Sequence, residues 1–335
     1  MFWSKYRAIT LIPVFLFIII FSYFLYQFLK NKDEKKRMIP IVVVTIVLLV
    51  LEFFKQLLSI IRGYDLYHIP LHFCSLFLYF LPLASFYKGK YKDVFRTLAG
   101  VISTCLFLFM AVYPLLIYPD SDVEKIKVFL SGEDVYRFFQ FHSVIFHNIA
   151  LFAFFFFAYG GVAKHDTKRD IKVIIIAFAI YSVVAGVLAH VLDTNFNNFN
   201  HCNADFLENV RVSLVNNLGG VGQFIYAVII AIGTIIVPIL AYLFLKLYEK
   251  IFHKATTGLN TSFVLSILNL IGIILLTFNK GLGMIVCSIF LVVLLSSALP
   301  TLFNSIKEKN KKYIIFASIF TLIGILTMIL EFIYL

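Results

Sequence analysis

Long apolar runs separated by short polar connections dominate this chain. An α-helix needs about 20 apolar residues to cross a bilayer core about 30 Å thick. The pattern therefore predicts an all-α, polytopic membrane helix bundle with about ten transmembrane helices. The runs are Ala8–Leu29, Met38–Ile61, Ile69–Phe86, Val94–Ile117, Tyr136–Tyr159, Ile171–Leu192, Leu218–Phe244, a short Phe263–Phe278, Leu282–Phe303 and Tyr313–Ile333.

Composition agrees with this class of protein. Hydrophobic residues make up 61% of the 335 residues and charged residues 14%, whereas a soluble domain is about 45–50% apolar and about 25% charged. The mean hydropathy is +0.95. These values exclude an ordinary soluble domain.

The basic residues are concentrated in every second connection. The net charge of +11 is typical of nucleic-acid-binding proteins, but here the lysines and arginines are concentrated on one side of the predicted membrane, which excludes that class. The positive-inside rule places the basic, odd-numbered connections in the cytoplasm. It predicts a multi-pass cell-membrane protein with both termini outside. Connections one, three and five, counted along the chain, contain Lys30 to Arg37, Lys88 to Lys92 and Lys164 to Lys172.

Polarity also divides the chain along its length. The first seven runs carry nearly all the polar residues at membrane depth, and a small, polar linker follows His253. We expect residues 1–254 to form a seven-helix core that resembles a catalytic domain. Residues 255–335 then form a three-helix appendix.

Polar residues in four of the predicted helices recur every three, four or seven positions, so that each set shares one helix face. Such stripes occur where helices hydrogen-bond to each other, but four stripes near the outer side predict an enclosed, hydrated cavity. They are Glu52, Lys55, Gln56 and Ser59; Tyr136, Gln140, Ser143 and His147; Ser182, Gly186, His190 and Asp193; and Asn216, Gly219, Gly220, Gln223 and Tyr226. The first stripe allows Glu52 and Lys55 to neutralise each other.

Cys74 falls near the same side of the membrane as these stripes. A lone intramembrane cysteine usually acts as a small hydrophobe, and Cys105 and Cys287 fit that interpretation. A reactive thiol needs a nearby base or positive charge. His147 belongs to a continuous polar stripe, whereas His142 points to another face of the same predicted helix.

Three segments carry a family resemblance. The stretch Ile69-Pro-Leu-His-Phe-Cys-Ser75 resembles the Leu-Pro-Leu-His-x-Cys-Ser signature of the bacterial YwaF-like membrane proteins. These proteins are relatives of the eukaryotic transmembrane-protein-164 acyltransferases. The segment Phe139-Gln-Phe-His-Ser-Val-Ile-Phe-His147 is similar to an aromatic-rich helix of that family that ends in a functional histidine, and Thr194-Asn195-Phe196 is similar to its Thr-Asn-Tyr segment. The resemblance covers roughly the first 250 residues.

The resemblance implies a membrane-embedded lipid acyltransferase or acyl hydrolase without a cofactor or metal. Cys74 and His147 then form and resolve an acyl-thioester from phospholipid. We expect these two side chains to lie about 3–5 Å apart or one water apart. The partners are phospholipid and lysophospholipid in the membrane. The expected substrate-binding residues are His72, Lys55, Glu52, Gln140, Ser143, His190, Asn195 and Gln223. Arg62 is a further candidate for the headgroup, and His72 either orients phosphate or supports the turn at Pro70.

Two other functions fit the same residues. His68, His72, His190 and Asp193 are possible zinc ligands of an intramembrane lipid hydrolase. Against this, Pro70 disfavours a helix that would bring His68 and His72 onto one face. Alternatively, the polar residues line the pathway of a polar-solute transporter, although the chain shows no inverted repeat.

Overall fold

The computed structural model describes residues 5–112, 137–202 and 205–334, and within these ranges it contains helices and no β-strand. Two short 3-10 helices, Leu66–His68 and Phe73–Leu76, precede α4. The α-helices are α1 (Lys5–Leu29), α2 (Glu34–Arg37), α3 (Ile39–Ile61), α4 (Phe77–Phe86), α5 (Lys92–Val112), α6 (Arg137–Gly160), α7 (Thr167–Val191), α8 (Asp205–Leu218), α9 (Gly220–His253), α10 (Ala255–Phe278), α11 (Lys280–Lys307) and α12 (Lys311–Tyr334).

The helix lengths confirm a polytopic helical membrane protein. Among the described residues, 8 helices are long and apolar enough to cross a bilayer, and Pro13–Leu29 and Phe73–Phe86 are shorter apolar helices. Together these elements correspond to the predicted apolar runs. The end of the fourth run and Tyr136, at the start of the fifth, lie outside the described residues.

The third predicted helix, Ile69–Phe86, is wrong in its first four residues. The chain is extended at Ile69, with ψ of 130°, because a residue that precedes proline avoids the helical region. The Leu71 N–H donates to the Ile69 carbonyl at 2.7 Å, which makes a tight turn. The helix begins only at Phe73, as a 3-10 turn that continues into α4.

The fourth predicted stripe, assigned to the seventh apolar run, is also wrong at its beginning. Asn216 lies on α8, a separate helix, and does not share a helix with Gln223. Gly219 between them has a φ of +56°, a left-handed conformation that glycine adopts readily and that ends helices. Part of the connection between the sixth and seventh runs is therefore helical, as α8.

The first compact unit consists of Met1–Arg37, Leu106–Gly161 and Phe244–Leu335. Its last three helices pack against each other, and α11 also packs against α1. The Tyr23 hydroxyl of α1 donates to Asn304 Oδ1 at 3.0 Å. Stacked aromatic rings of Phe107 and Phe154, 4.4 Å apart, lie in the interior of this unit.

The second compact unit consists of Met38–Cys105 and Val162–Leu243. In it α3 packs against α4, with a hydrogen bond of 2.8 Å between Thr45 and Ser85. The two units group the chain by contacts, whereas the predicted boundary at residue 254 groups it by polarity. The functional division into core and appendix stays a prediction.

Candidate functional site

The polar stripe of α3 forms one connected network. The Lys55 ammonium lies 2.7 Å from Glu52 Oε1, so the two charges pair as predicted, with their side chains 14% and 11% exposed. Gln56 Nε2 donates to the same Glu52 oxygen at 2.6 Å. A charge pair withdrawn from solvent is stable when further hydrogen bonds complete it, and Gln56 supplies one.

Gln56 connects this pair to the segment between α3 and α4. Its amide nitrogen also donates to the His68 carbonyl at 2.7 Å. The Tyr64 hydroxyl donates to Gln56 Oε1 at 2.7 Å. Both amide hydrogens and the amide oxygen of Gln56 are thereby engaged. This side chain thus fixes the segment over the end of α3.

His68 is bonded to the last residue of the stripe. Its Nδ1 lies 2.7 Å from the Ser59 hydroxyl. Burial lowers the pKa of His68, and the Lys55 charge acts in the same direction. The ring is therefore held as a neutral hydrogen-bonding group that anchors the segment to α3.

Cys74 occupies the second position of the 3-10 turn that begins the short apolar helix. It is half-buried, whereas the other three cysteines, Cys105, Cys202 and Cys287, are buried. The Glu52–Lys55 pair lies within electrostatic range of its thiol. Among the cysteines, Cys74 is thus the one that combines access with nearby charge.

Two tyrosines that the sequence analysis missed hold the turn before Cys74. The Tyr181 hydroxyl on α7 donates to the Leu71 carbonyl at 2.9 Å. The Tyr79 hydroxyl donates to the Pro70 carbonyl at 3.1 Å. Proline and the tight turn leave these carbonyls without helical donors. A proline within an apolar run is the signal in the sequence, because it leaves nearby carbonyls that need hydrogen-bond donors from other side chains.

His72 supports the same turn. Its Nε2 lies 2.9 Å from the Tyr67 carbonyl, and because a carbonyl only accepts, Nε2 carries the hydrogen. The ring packs against Tyr67 at 4.3 Å and Phe196 at 5.7 Å between centroids. The predicted support of the Pro70 turn is therefore present, while a contact of His72 with phosphate stays a prediction.

Asn195 and Gln223 stabilise the loop after α7. The Asn195 side-chain oxygen accepts from the N–H groups of Asn200 at 3.1 Å and His201 at 3.3 Å. Gln223 Nε2 donates to the Phe199 carbonyl at 3.0 Å. Both side chains have these structural contacts, and their expected role in substrate binding stays a prediction.

The neighbouring helix α8 ties down the end of this loop. Glu208 Oε2 accepts from the Cys202 N–H at 2.8 Å, and Glu208 also pairs with Arg211. This arginine lowers the pKa of the Glu208 carboxyl. The carboxylate therefore remains charged while it holds the loop.

His190 and Asp193 lie exposed at the end of α7. Asp193 has a φ of +47° and lies just beyond the helix end, where the Thr194 N–H donates to the Ala189 carbonyl at 2.9 Å. In the described ranges, no group of three or more His, Cys, Asp or Glu side chains is arranged to hold a metal ion. His68 and His72 instead bond to Ser59 and Tyr67.

His147 lies buried on α6 in the first unit. Its Nδ1 is 2.7 Å from the Ser143 carbonyl and 3.4 Å from the Ser143 hydroxyl. The shorter contact requires the hydrogen on Nδ1, which leaves Nε2 as the proton acceptor. This is the tautomer that a general base acting through Nε2 needs. Gln140 belongs to α6, but its side chain lies outside the described part of the structure.

The two residues of the predicted pair belong to different units, Cys74 to the second and His147 to the first. The distance expected between them, about 3–5 Å, stays a prediction. His142, the other histidine of α6, is also buried, and its ring lies 5.5 Å from that of Phe146.

The comparisons with known proteins give one match. A family model described as the TMEM164 family matches residues 2–242. No curated protein and no solved structure matches the chain. The matched region contains both histidines of α6, Cys74 and every expected substrate-binding residue, and it ends before α10.

Proposed function

The chain belongs to the TMEM164 family, and from this premise we propose that it transfers or hydrolyses phospholipid acyl chains within the membrane. Cys74 is the nucleophile and His147 the general base in this proposal. The observation that carries it is the turn at Pro70. This turn places the half-buried Cys74 thiol at the first turn of a short apolar helix. Hydrogen bonds from Tyr79 and Tyr181 hold the turn in place.

The position of Cys74 suits attack on an ester. The first turn of a helix has backbone N–H groups without acceptors inside the helix. Such groups stabilise negative charge, including the oxyanion that forms when a thiolate adds to a carbonyl carbon. The apolar surroundings suit the acyl chain, and the Glu52–Lys55 pair and His72 are proposed to contact the polar headgroup.

The first half of the reaction forms a thioester. His147 Nε2 accepts the Cys74 proton, and the thiolate sulfur attacks the acyl carbonyl carbon. The carbon–oxygen ester bond breaks, and the protonated His147 gives its proton to the departing lysophospholipid oxygen. Cys74 now carries the acyl chain, and His147 is neutral again.

The second half removes the acyl chain from Cys74. A hydroxyl of a second lysophospholipid, or water, gives its proton to His147 Nε2 and attacks the thioester carbonyl. The carbon–sulfur bond breaks, and the proton returns from His147 to the Cys74 thiolate. Lysophospholipid yields transfer, and water yields hydrolysis. We place this chemistry on the outer side of the cell membrane, with both termini outside.

The test measures movement of a labelled acyl chain from phosphatidylcholine to a lysophospholipid or to water by the full-length protein in vesicles. Cys74→Ala should abolish turnover. Cys105→Ala is the matched control, because Cys105 is a buried cysteine of the same unit, and it should retain turnover. Full activity of correctly folded Cys74→Ala protein would overturn the proposal. Loss of activity on chelation that zinc restores would support the metal hydrolase instead.

A further inference from the structure

Two lysines from distant parts of the sequence lie at neighbouring helix ends of the first unit. Lys30 directly follows α1, and Lys307 is the last residue of α11. The positive charge of Lys307 lowers the pKa of the Lys30 ammonium. Lys307 Nζ also donates to Gln27 Oε1 at 3.0 Å. We refer to Lys30 and Lys307 as the paired-lysine site.

The helices on both sides hold this pair in place. Tyr23, two turns before Lys30, donates to Asn304 Oδ1 at 3.0 Å, and Asn304 Nδ2 donates to the Phe252 carbonyl at 3.0 Å. The Tyr23 ring packs 4.9 Å from that of Phe303. Two like charges repel, so a scaffold that holds them together creates a position where an anion is favoured.

The surrounding charge is also positive. Residues 30–37 and 307–312 contain nine lysines or arginines and three acidic residues. Of the acidic residues, Asp33 accepts from the Lys36 N–H at 2.8 Å. Glu308 follows Lys307 and ends α11, where its N–H bonds to the Asn304 carbonyl. The excess of positive charge attracts anions to the paired-lysine site.

The depth of the site identifies the kind of anion. The apolar stretch Pro13–Leu29 ends one residue before Lys30, and the membrane-spanning stretch Leu282–Lys307 ends at Lys307. Both ammonium groups thus lie where hydrocarbon gives way to headgroups. Two residues before Lys30, the Phe28 ring is 71% exposed and offers an apolar contact for an acyl chain.

We propose that the paired-lysine site binds the phosphate of an anionic phospholipid, distinct from the lipid that reacts. The phosphate oxygens bridge the Lys30 and Lys307 ammonium groups by charge-assisted hydrogen bonds. The lipid thereby joins α1 to α11 and gives the last three helices a role in anchoring the protein to an anionic leaflet. This proposal is independent of the Cys74 chemistry.

The test compares lipid binding by purified full-length proteins in neutral detergent. Phosphatidylglycerol should raise the unfolding temperature of the natural protein more than phosphatidylcholine does. Each lysine near an anionic lipid contributes about fivefold in affinity, so Lys30→Gln with Lys307→Gln should weaken phosphatidylglycerol binding about 25-fold. The control, Lys168→Gln with Lys172→Gln, removes the same charge from exposed positions of the second unit and should leave binding unchanged.

Further arms separate the remaining explanations. Lys30→Arg with Lys307→Arg should retain binding, and Lys30→Gln alone replaces the double variant if the latter does not fold. Equal weakening in the control variant would show a general charge effect and overturn the site. The proposed site would also be overturned if inorganic phosphate raised the unfolding temperature as much as phosphatidylglycerol does. An equal effect of phosphatidylcholine would overturn it too.

Discussion

At the scale of single residues, each polar side chain in the network of the α3 stripe has a hydrogen-bond or charge partner. Gln56 bonds to Glu52 and the His68 carbonyl, and accepts from Tyr64. An unpaired polar group in hydrocarbon costs several kcal/mol, so these contacts stabilise the turn that positions Cys74. In the first unit, the Ser143 carbonyl can only accept a hydrogen bond, so the hydrogen of His147 lies on Nδ1.

The choice between the two histidines of α6 gives a residue-scale prediction. His147→Gln should lower acyl turnover at least about 100-fold, because general acid–base catalysis contributes about 10²–10⁴-fold. His142→Gln is the matched control on the same helix and should retain most activity. Initial rates with labelled phosphatidylcholine provide the measurement. The reverse pattern in two folded proteins would make His142 the catalytic histidine.

Sequence patterns predicted contacts within one helix better than contacts between distant segments. Helical spacing gave the Glu52–Lys55 pair, since both residues lie on one helix. It did not give the hydrogen bonds of Tyr181 to Leu71 or Gln223 to Phe199, because these join residues far apart in the chain. For Asn195, the family resemblance suggested substrate binding, and the structure adds a local contact in which its side-chain oxygen accepts a hydrogen bond within the loop.

At the scale of elements, apolar length was a reliable guide to helices and a poor guide to breaks. A long apolar run has no stable alternative to a helix in a bilayer. The breaks depend on single residues within apolar surroundings, namely Pro70 and Gly219. Each changes the backbone locally without altering the hydropathy of its neighbours, so the runs from Ile69 and Leu218 appeared continuous in sequence.

The separability of the last three helices is an element-scale prediction. A chain ending after Lys254 should retain acyl turnover, because the family match ends at residue 242. It should also unfold at a lower temperature, since α11 packs against α1 and accepts a hydrogen bond from Tyr248 through Ser296. Parallel turnover and unfolding measurements on the truncated and full-length proteins provide the check. A well-folded but inactive truncation would contradict the boundary.

At the scale of the whole molecule, charge alternation determines the predicted orientation. The connections rich in lysine and arginine, including Lys88 to Lys92, are predicted to be cytoplasmic. The grouping of α1 with α10–α12 could not be predicted from hydropathy or charge, because that packing depends on side-chain fit between helices distant in the chain. The division into two units therefore came only from the structure.

Topology has a direct test. Lys90→Cys should react with a membrane-impermeant maleimide only after the membrane is permeabilised, because Lys90 is exposed in a predicted cytoplasmic connection. Asn217→Cys, exposed in a predicted outer connection, should react in intact cells. Labelling of Lys90→Cys from outside would reverse the orientation, and with it the side assigned to the chemistry.

The central claim is that Cys74 carries the acyl chain during turnover, and mass spectrometry of the protein after brief incubation with phospholipid of one defined acyl chain tests it most directly. We predict a peptide containing Cys74 heavier by that acyl group, with the addition removed by hydroxylamine as expected of a thioester. The adduct should be absent from Cys74→Ala and present in Cys105→Ala. Acyl turnover without an adduct at Cys74, or with the adduct on another residue, would contradict the account.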